Sequence, residues 1–478
     1  MAAIARDVRN RGLFLAGDWV ETGEWAEISS PYSGDSIGRV AVGGAEHARA
    51  AVDAAERAMQ SPIPQHERVE LLTRIAEALA GRQDEAARLI SDEAGKPMKA
   101  ARGEANRAVQ TYLAAAAAAR SLSGETIPLG AAPSGAGKLG LTIRVPIGIV
   151  GAISPFNFPL NLVAHKLAPA LAAGCAVVLK PAMKTPLSAF LLAELSAEAG
   201  LPAGWLNVIC GPSAAIGDVL VEDERVKALT FTGSGPVGWA LRQRAPRKHV
   251  ALELGNSTPL IVAADADLDA ASSAAAGGAF SYAGQSCISV QRIFVQRSVY
   301  DDFVARFVAK VDKLVVGDPA DEATDVGPVI DEGNRDRVLQ WIEASGGEVL
   351  TGDTITDDGL IRPTVVASPK TDSELSCDEA FGPVCTVQPY DTEEEAFDQA
   401  NSTSFGLQAG IFTRDIHLAL RAARRLEFAG VTINESPTWR VDHMPYGGIK
   451  DSGNTREGPL YAMREFTEER LVIVDLGD

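Results

Sequence analysis

The sequence predicts an α/β chain built on mostly parallel sheets with a small β extension, and three observations carry that prediction. From Ile147 onward, short apolar runs alternate with helix-length segments. Before them lies a long stretch rich in Ala, Leu and Arg at helical spacing. Two apolar strand patterns, within 124–146 and in the tail 454–478, fit neither rhythm. At 478 residues the chain exceeds what one core organises, so more than one domain is expected.

Taken in order, residues 44–120 read as helices. "AEHARAAVDAAERAMQ", "RVELLTRIAEALAGRQDEAARLISDEAG" and "ANRAVQTYLAAAAAAR" repeat apolar residues at helical intervals. The run Ala114–Ala119 predicts close helix packing rather than disorder. "IGIVGAI" then reads as a buried strand, and "NLVAHKLAPALAAG" as a helix that stops at Gly174. Strands "CAVVLK", "WLNVIC", "VKALTFT" and "HVALEL" follow, separated by helices "PLSAFLLAELSAEAG", "AAIGDVLVED" and "PVGWALRQRA". This alternation implies a Rossmann-like parallel sheet with helices on both faces. Such a sheet binds ligands beyond the carboxyl ends of its strands, which places a nucleotide near Ser154, Pro155, Phe156, Lys180, Gly233 and Ser234.

The expected division is a nucleotide-binding domain over 1–123 and 147–254, a second α/β domain over 255–453, and bridging segments at 124–146 and 454–478. In "LTIRV", Leu141, Ile143 and Val145 alternate with Thr142 and Arg144, as in a half-buried strand. Strands outside both domains need a partner, and a second copy of the chain supplies one, giving a homodimer or homotetramer.

A net charge of -19 argues against nucleic acid, and any anionic substrate then needs a local basic pocket. The five cysteines are scattered without a CxxC, and no HExxH occurs, so neither a disulfide framework nor a metal site is expected. The start "MAAIARDVRNRGLFLAGDWV" lacks the apolar core of a signal peptide, and no charge-free run reaches membrane-spanning length. A soluble, cytoplasmic protein without a membrane partner is the expectation.

Within this frame a few residues carry chemistry. "GQSCISVQR" sets Cys287 among small and polar residues, where backbone and ligand can approach closely; a half-buried structural thiol is the competing reading. Glu253 ends an otherwise apolar strand in "ALELGNSTP", where a carboxylate is costly unless paired or used. A carboxylate base and a thiol nucleophile together suit covalent acyl chemistry. Asn157 in "SPFNFPLN" follows a strand and opens a helix, as an N-cap or as an oxyanion donor. "GSGPVG" fits GxGxxG but follows the fourth strand rather than the first. What remains is that Gly233 and Ser234 offer amides to a phosphate at a helix N-terminus, or form a plain turn.

In chain order, "SPFNFPLN", "FTGSGPVG", "LELG", "GQSC", "DEAFGPV", "NSTSFGLQAGIFT" and "MPYGGIKDSG" resemble the signature blocks of the aldehyde dehydrogenase superfamily. "GETIPL", "GQSCISVQRI" and "ESPTWRVDHMPYGG" are similar to its lactaldehyde and non-phosphorylating glyceraldehyde-3-phosphate dehydrogenase-like branch. The resemblance implies a catalytic second domain and NAD or NADP as cofactor. Cys287 would attack the aldehyde to give a thiohemiacetal and then a thioester. Asn157 and the Cys287 amide would hold the oxyanion, and Glu253 would activate the hydrolytic water. Lys180 would meet the adenosine ribose, Glu379 the nicotinamide ribose, and Phe381 would pack beside the ring.

Two departures matter. Many NAD-preferring relatives carry a glutamate where this chain has Met183, which leaves the NAD-versus-NADP preference undecided and gives Lys184 a possible role with a 2′-phosphate. Asn256 replaces a commoner glycine in "LELGN" and tolerates left-handed backbone.

Arg107 and Arg440 are the candidates for an anion contact at the substrate mouth, against a reading as surface or ion-paired arginines. Together they point to a small hydroxylated or anionic aldehyde of the lactaldehyde, glyceraldehyde 3-phosphate, phosphonoacetaldehyde or semialdehyde type. The rivals are a CoA-acylating aldehyde dehydrogenase, which needs no water-activating Glu253, a catalytically inactive nucleotide-binding protein, and a thioester hydrolase, which needs no nucleotide sheet.

Overall fold

The computed structural model describes residues 10–477. Residues 1–9, which begin both the first domain segment and the stretch read for a signal peptide, lie outside the described residues, as does residue 478. The first large sheet has seven strands, in the order His249–Glu253, Val226–Thr232, Ile149–Ile153, Val177–Lys180, Leu206–Val208, Leu13–Leu15 and Asp18–Val20. Its first five strands are parallel and follow the alternation read from the sequence. The register aligns Ile153 with Lys180 and Thr232 with Glu253, so these strands end along one edge. Strand order reverses around Ile149–Ile153, which opens a crevice at that edge.

The second large sheet is also seven-stranded: Glu348–Thr351, Thr364–Ala367, Val384–Tyr390, Val290–Gln296, Thr258–Val262, Gln408–Phe412 and Gly430–Ile433. All its pairings are parallel except that of Glu348–Thr351. The chain passes from the carboxyl end of strand His249–Glu253 straight into Thr258–Val262. The edge of the first sheet therefore faces the start of the second, and Cys287 lies just before Val290 on that same side.

The strands between residues 10 and 41 are absent from the sequence reading. They are two to six residues long and of mixed polarity, too short for a period of two to register. One pair extends the first sheet as an antiparallel hairpin, and the rest form a small sheet of their own.

Helix Met98–Arg120 packs on helices Gln65–Gly81 and Asn161–Ala173, with Ala115, Ala116, Ala118 and Ala119 buried. Methyl-sized side chains let such axes approach closely. The tail does two jobs. Helix Pro459–Glu465 packs on Met98–Arg120 and Asn161–Ala173, with Met463 in the first core. Strand Thr467–Asp475 pairs along its length with Lys138–Pro146, and Thr126–Ile127 completes that three-stranded sheet.

One buried ion pair fixes the loop between strand Ile149–Ile153 and helix Asn161–Ala173. Glu104 pairs with Lys96, their side chains 0% and 1% exposed. Glu104 also accepts the amides of Leu160 at 3.0 Å and Asn161 at 3.1 Å, covering the start of the helix. The Lys96 ammonium lies 3.6 Å from the Phe158 ring centroid and 4.5 Å from that of Tyr282. Removing one partner strands a buried charge, so Glu104→Ala is expected to destabilise the fold by about 3–5 kcal/mol in denaturant unfolding. An unchanged unfolding midpoint would contradict this account of the pair.

Candidate active site

Three loops converge where the two sheets meet. Gly284, with φ 69°, follows Tyr282 and Ala283, which also have left-handed backbone, in the tight turn that presents Cys287. Gln285 anchors that turn: its side chain donates to Tyr282 O and Pro328 O and accepts the Ile330 amide. Asn157 joins the first loop to it, with Nδ2 donating to Gln285 O at 3.0 Å. That donation uses one N–H of the side-chain amide, and a second N–H belongs to the same nitrogen. Asn157 is thus a side-chain bridge between loops and not the N-cap of helix Asn161–Ala173, a position that Leu160 occupies.

Cys287 and Glu253 line the same internal cavity of about 30 Å³, room for about one water. Neither Glu253 oxygen has a hydrogen-bond partner, although the residue is only 4% exposed. Burial, reinforced by the nearby Glu457 carboxylate, pushes the Glu253 carboxyl well above the usual range. Cys287 is half-buried at the cavity, and the burial of its thiol pushes it up to about 12. Its sulfur lies 2.9 Å from the Tyr446 hydroxyl.

Arg107 and Arg440 line this cavity and also a larger outer one of about 770 Å³. Each is already ion-paired: Arg440 with Glu457 at 3.0 Å, and Arg107 with Asp442 at 2.8 Å. Asp442 also lies 2.9 Å from His165 Nε2 and accepts from Asn161 Nδ2. Although burial opposes it, the His165 hydrogen bond and the Arg107 charge hold Asp442 below the usual carboxylate range. Glu457 is likewise lowered against burial by His165, Arg440 and Lys166, so it stays ionised beside Glu253. Lys166 donates to Thr232 Oγ1 at 2.7 Å and Thr230 Oγ1 at 3.2 Å, and burial lowers its pKa.

The candidate nucleotide residues lie along the carboxyl edge of the first sheet. Ser154 is buried and its hydroxyl lacks a partner. Lys180 is buried too, and its ammonium reaches Pro181 O at 3.3 Å. Ser234 caps helix Gly235–Arg244, with Gly233 before it and Pro236 in the first turn. Phe156 and Phe381 meet edge to face at 5.7 Å, with Pro155 in the same loop as Phe156. Glu379 accepts the Asn256 amide at 3.0 Å, and burial pushes it up to about 7. A side chain at Gly255 would meet Glu379 Oε2 at 2.4 Å, so glycine keeps the carboxylate close to that backbone. An unpartnered buried hydroxyl, a near-free ammonium and a helix start along one crevice fit a dinucleotide.

Met183 contacts the Cys210 thiol at 3.2 Å instead of presenting a carboxylate. Lys184 pairs with Asp331, which draws its ammonium to an acid rather than leaving it free for a 2′-phosphate. Sequence reasoning did not single out Tyr446, Glu457, Asp442, His165 or Lys166. Tyr446 and Asp442 stood in the quoted "ESPTWRVDHMPYGG" block and His165 and Lys166 in the quoted helix "NLVAHKLAPALAAG", but nothing local marked them as site residues; Glu457 lay outside every quoted segment.

The sequence model of the aldehyde dehydrogenase family matches residues 19–472. The chain is 42% identical to 3-sulfolactaldehyde dehydrogenase of Priestia megaterium over 472 residues, 98% of this chain and 99% of that one. It is 40% identical to lactaldehyde dehydrogenase of Methanocaldococcus jannaschii, over 97% of this chain and all of that one. Its fold superposes with a TM-score of 0.95 on NADP-dependent glyceraldehyde-3-phosphate dehydrogenase from Bacillus halodurans complexed with NADP, 37% identical over 98% of this chain and 100% of the other. This chain therefore belongs to the aldehyde dehydrogenase family, as an NAD(P)-dependent aldehyde oxidoreductase.

Proposed function

We propose that the chain oxidises a small hydroxylated or anionic aldehyde to its carboxylic acid through a thioester on Cys287, using NAD or NADP. The observation that carries this reading is one cavity shared by a thiol and a buried carboxylate without hydrogen-bond partners. Cys287 gives up its proton to water, its sulfur attacks the aldehyde carbon, and the oxyanion takes hydrogen bonds from the second Asn157 N–H and the Cys287 amide. The chemistry a bound nicotinamide supplies is acceptance of the hydride leaving that carbon. Ser154, Lys180, Gly233, Ser234, Glu379 and Phe381 hold the dinucleotide, with Pro155 and Phe156 shaping the loop at its ring. Glu253 then takes a proton from the water that attacks the thioester and passes it to the departing sulfur, releasing the acid and restoring the thiol. Met183 adds no carboxylate of its own beside Lys180, and the nearby Asp331 is paired with Lys184, which supports use of both dinucleotides.

Arg107 and Arg440 support the substrate class, because they stand where the outer cavity meets the inner one. Their carboxylate partners leave each guanidinium with further donors for an anionic or hydroxylated tail. The named relatives act on 3-sulfolactaldehyde and lactaldehyde, which fits the same class.

The chain assembles as a homodimer or homotetramer through strand Thr467–Asp475. That strand is an edge of its sheet and leaves Leu471 53% and Ile473 55% exposed, as apolar edges do when a partner covers them. Ile473→Asp is expected to lower the assembled mass in sedimentation, and an unchanged mass would oppose this interface.

Nicotinamide absorbance, followed with NAD and NADP separately on lactaldehyde, glyceraldehyde 3-phosphate, phosphonoacetaldehyde, succinic semialdehyde and an aliphatic aldehyde, tests the reaction. Turnover without CoA is expected, fastest on the hydroxylated or anionic members; reduction only in the presence of CoA would favour the acylating rival. Glu253→Gln is expected to keep a first-turnover burst and to lose steady-state rate by about 10²–10⁴-fold. Because burial raises the Glu253 pKa, its base form grows as pH rises through that value, so wild-type deacylation should climb with pH and the variant's should not.

A further inference from the structure

We infer that Tyr446 is a second catalytic group on the nucleophile: its hydroxyl donates to the Cys287 sulfur, stabilises the thiolate, and lets go as the carbon–sulfur bond forms. The inference rests on Cys287 being the nucleophile, as proposed above.

The geometry is specific. The Tyr446 hydroxyl stands 2.9 Å from the sulfur, and the residue is only 4% exposed. Its backbone is locked to Glu457 by a two-residue antiparallel bridge, with the Tyr446 amide donating to Glu457 O at 3.1 Å. The Arg440 guanidinium lies 3.7 Å from the ring centroid, held there by Glu457 at 3.0 Å. A cation on the ring face draws electron density from the phenol, which makes its O–H a better donor. Glu457, Arg440, Tyr446 and Cys287 thus form one line, from a buried carboxylate to the reacting sulfur.

In the neutral pair either atom can donate, but once the sulfur is a thiolate only the Tyr446 hydroxyl can. Cys287 faces Tyr446, Glu379, Glu253 and Arg440, two carboxylates against one cation. A thiolate in that setting is disfavoured by burial and by both acids, and the Tyr446 hydrogen bond opposes them. Burial and the Cys287 charge push the Tyr446 phenol well above its usual range, so the hydroxyl keeps its proton and remains a donor. A phenylalanine in its place would fill the same space and leave the thiolate without this donor. The assignment differs from that of Asn157 and the Cys287 amide, which meet the oxyanion rather than the sulfur.

The test is the pH dependence of Cys287 alkylation by iodoacetamide, read by mass on the peptide that carries Cys287. Wild type is compared with Tyr446→Phe and with protein carrying 3-fluorotyrosine at 446, a more acidic phenol of nearly the same volume. Tyr446→Phe is expected to move the alkylation curve to higher pH and to slow the reaction at pH 8 about tenfold, the loss of one hydrogen bond to a charged group. Fluorotyrosine should move the curve the other way. A Tyr446→Phe curve that is unmoved or lies at lower pH, in protein melting as the wild type does, overturns the inference. Should Cys287→Ala retain aldehyde turnover, the proposed nucleophile fails instead, and the alkylation curves still report separately on the hydrogen bond.

Discussion

A carboxylate removed from water without a hydrogen-bond partner costs several kcal/mol, and Glu253 sits in that condition at the seam between two sheets. Nothing in its strand needs an acid: Val250, Ala251 and Leu252 beside it are apolar and buried. The cost is tolerated because the surrounding groups are held by the rest of the fold. Glu457 remains ionised through Arg440, His165 and Lys166, and its charge adds to burial in raising Glu253. A carboxylate with a raised pKa thus shares a cavity with a thiol whose pKa burial also raises.

The fold supplies the alignment. Parallel strands that end along one edge put Ser154, Lys180, Gly233 and Glu253 on the same side, and the next strand begins within a few residues. The helix that follows the Asn157 loop carries Asn161, His165 and Lys166, all buried, from its first turn into the polar cluster. Glu104 and Lys96 hold the start of that helix from the neighbouring element. The Cys287 loop is fixed independently by Gln285, so the two halves of the site are separately braced and meet at the Asn157 bridge.

The first large sheet and its helices were legible in the sequence because buried parallel strands are apolar throughout and their helices are long; of the second sheet only an α/β region was legible, not its strands. The strands before residue 41 were not legible, since strands of two to six mixed residues leave no clear period to read. At the site, Cys287 and Glu253 stood out as residues unusual for their surroundings, whereas Asn157 gained its role only through the family resemblance. The partners of Arg107 and Arg440 did not, because Asp442 and Glu457 are remote from Arg107 or separated from Arg440 by a loop whose path only the folded chain defines. The same holds for Lys184, whose partner Asp331 lies 147 positions further along the chain. Tyr446 was hidden by its likeness to any aromatic core residue; the meaning of its hydroxyl comes from the sulfur opposite it.

The most direct measurement is mass analysis of wild-type enzyme quenched in acid during turnover of an aldehyde it oxidises. The account predicts the acyl group of that substrate on the peptide carrying Cys287, as a thioester that hydroxylamine removes. Turnover with Cys287 unmodified, or with the acyl group on another residue, would contradict it.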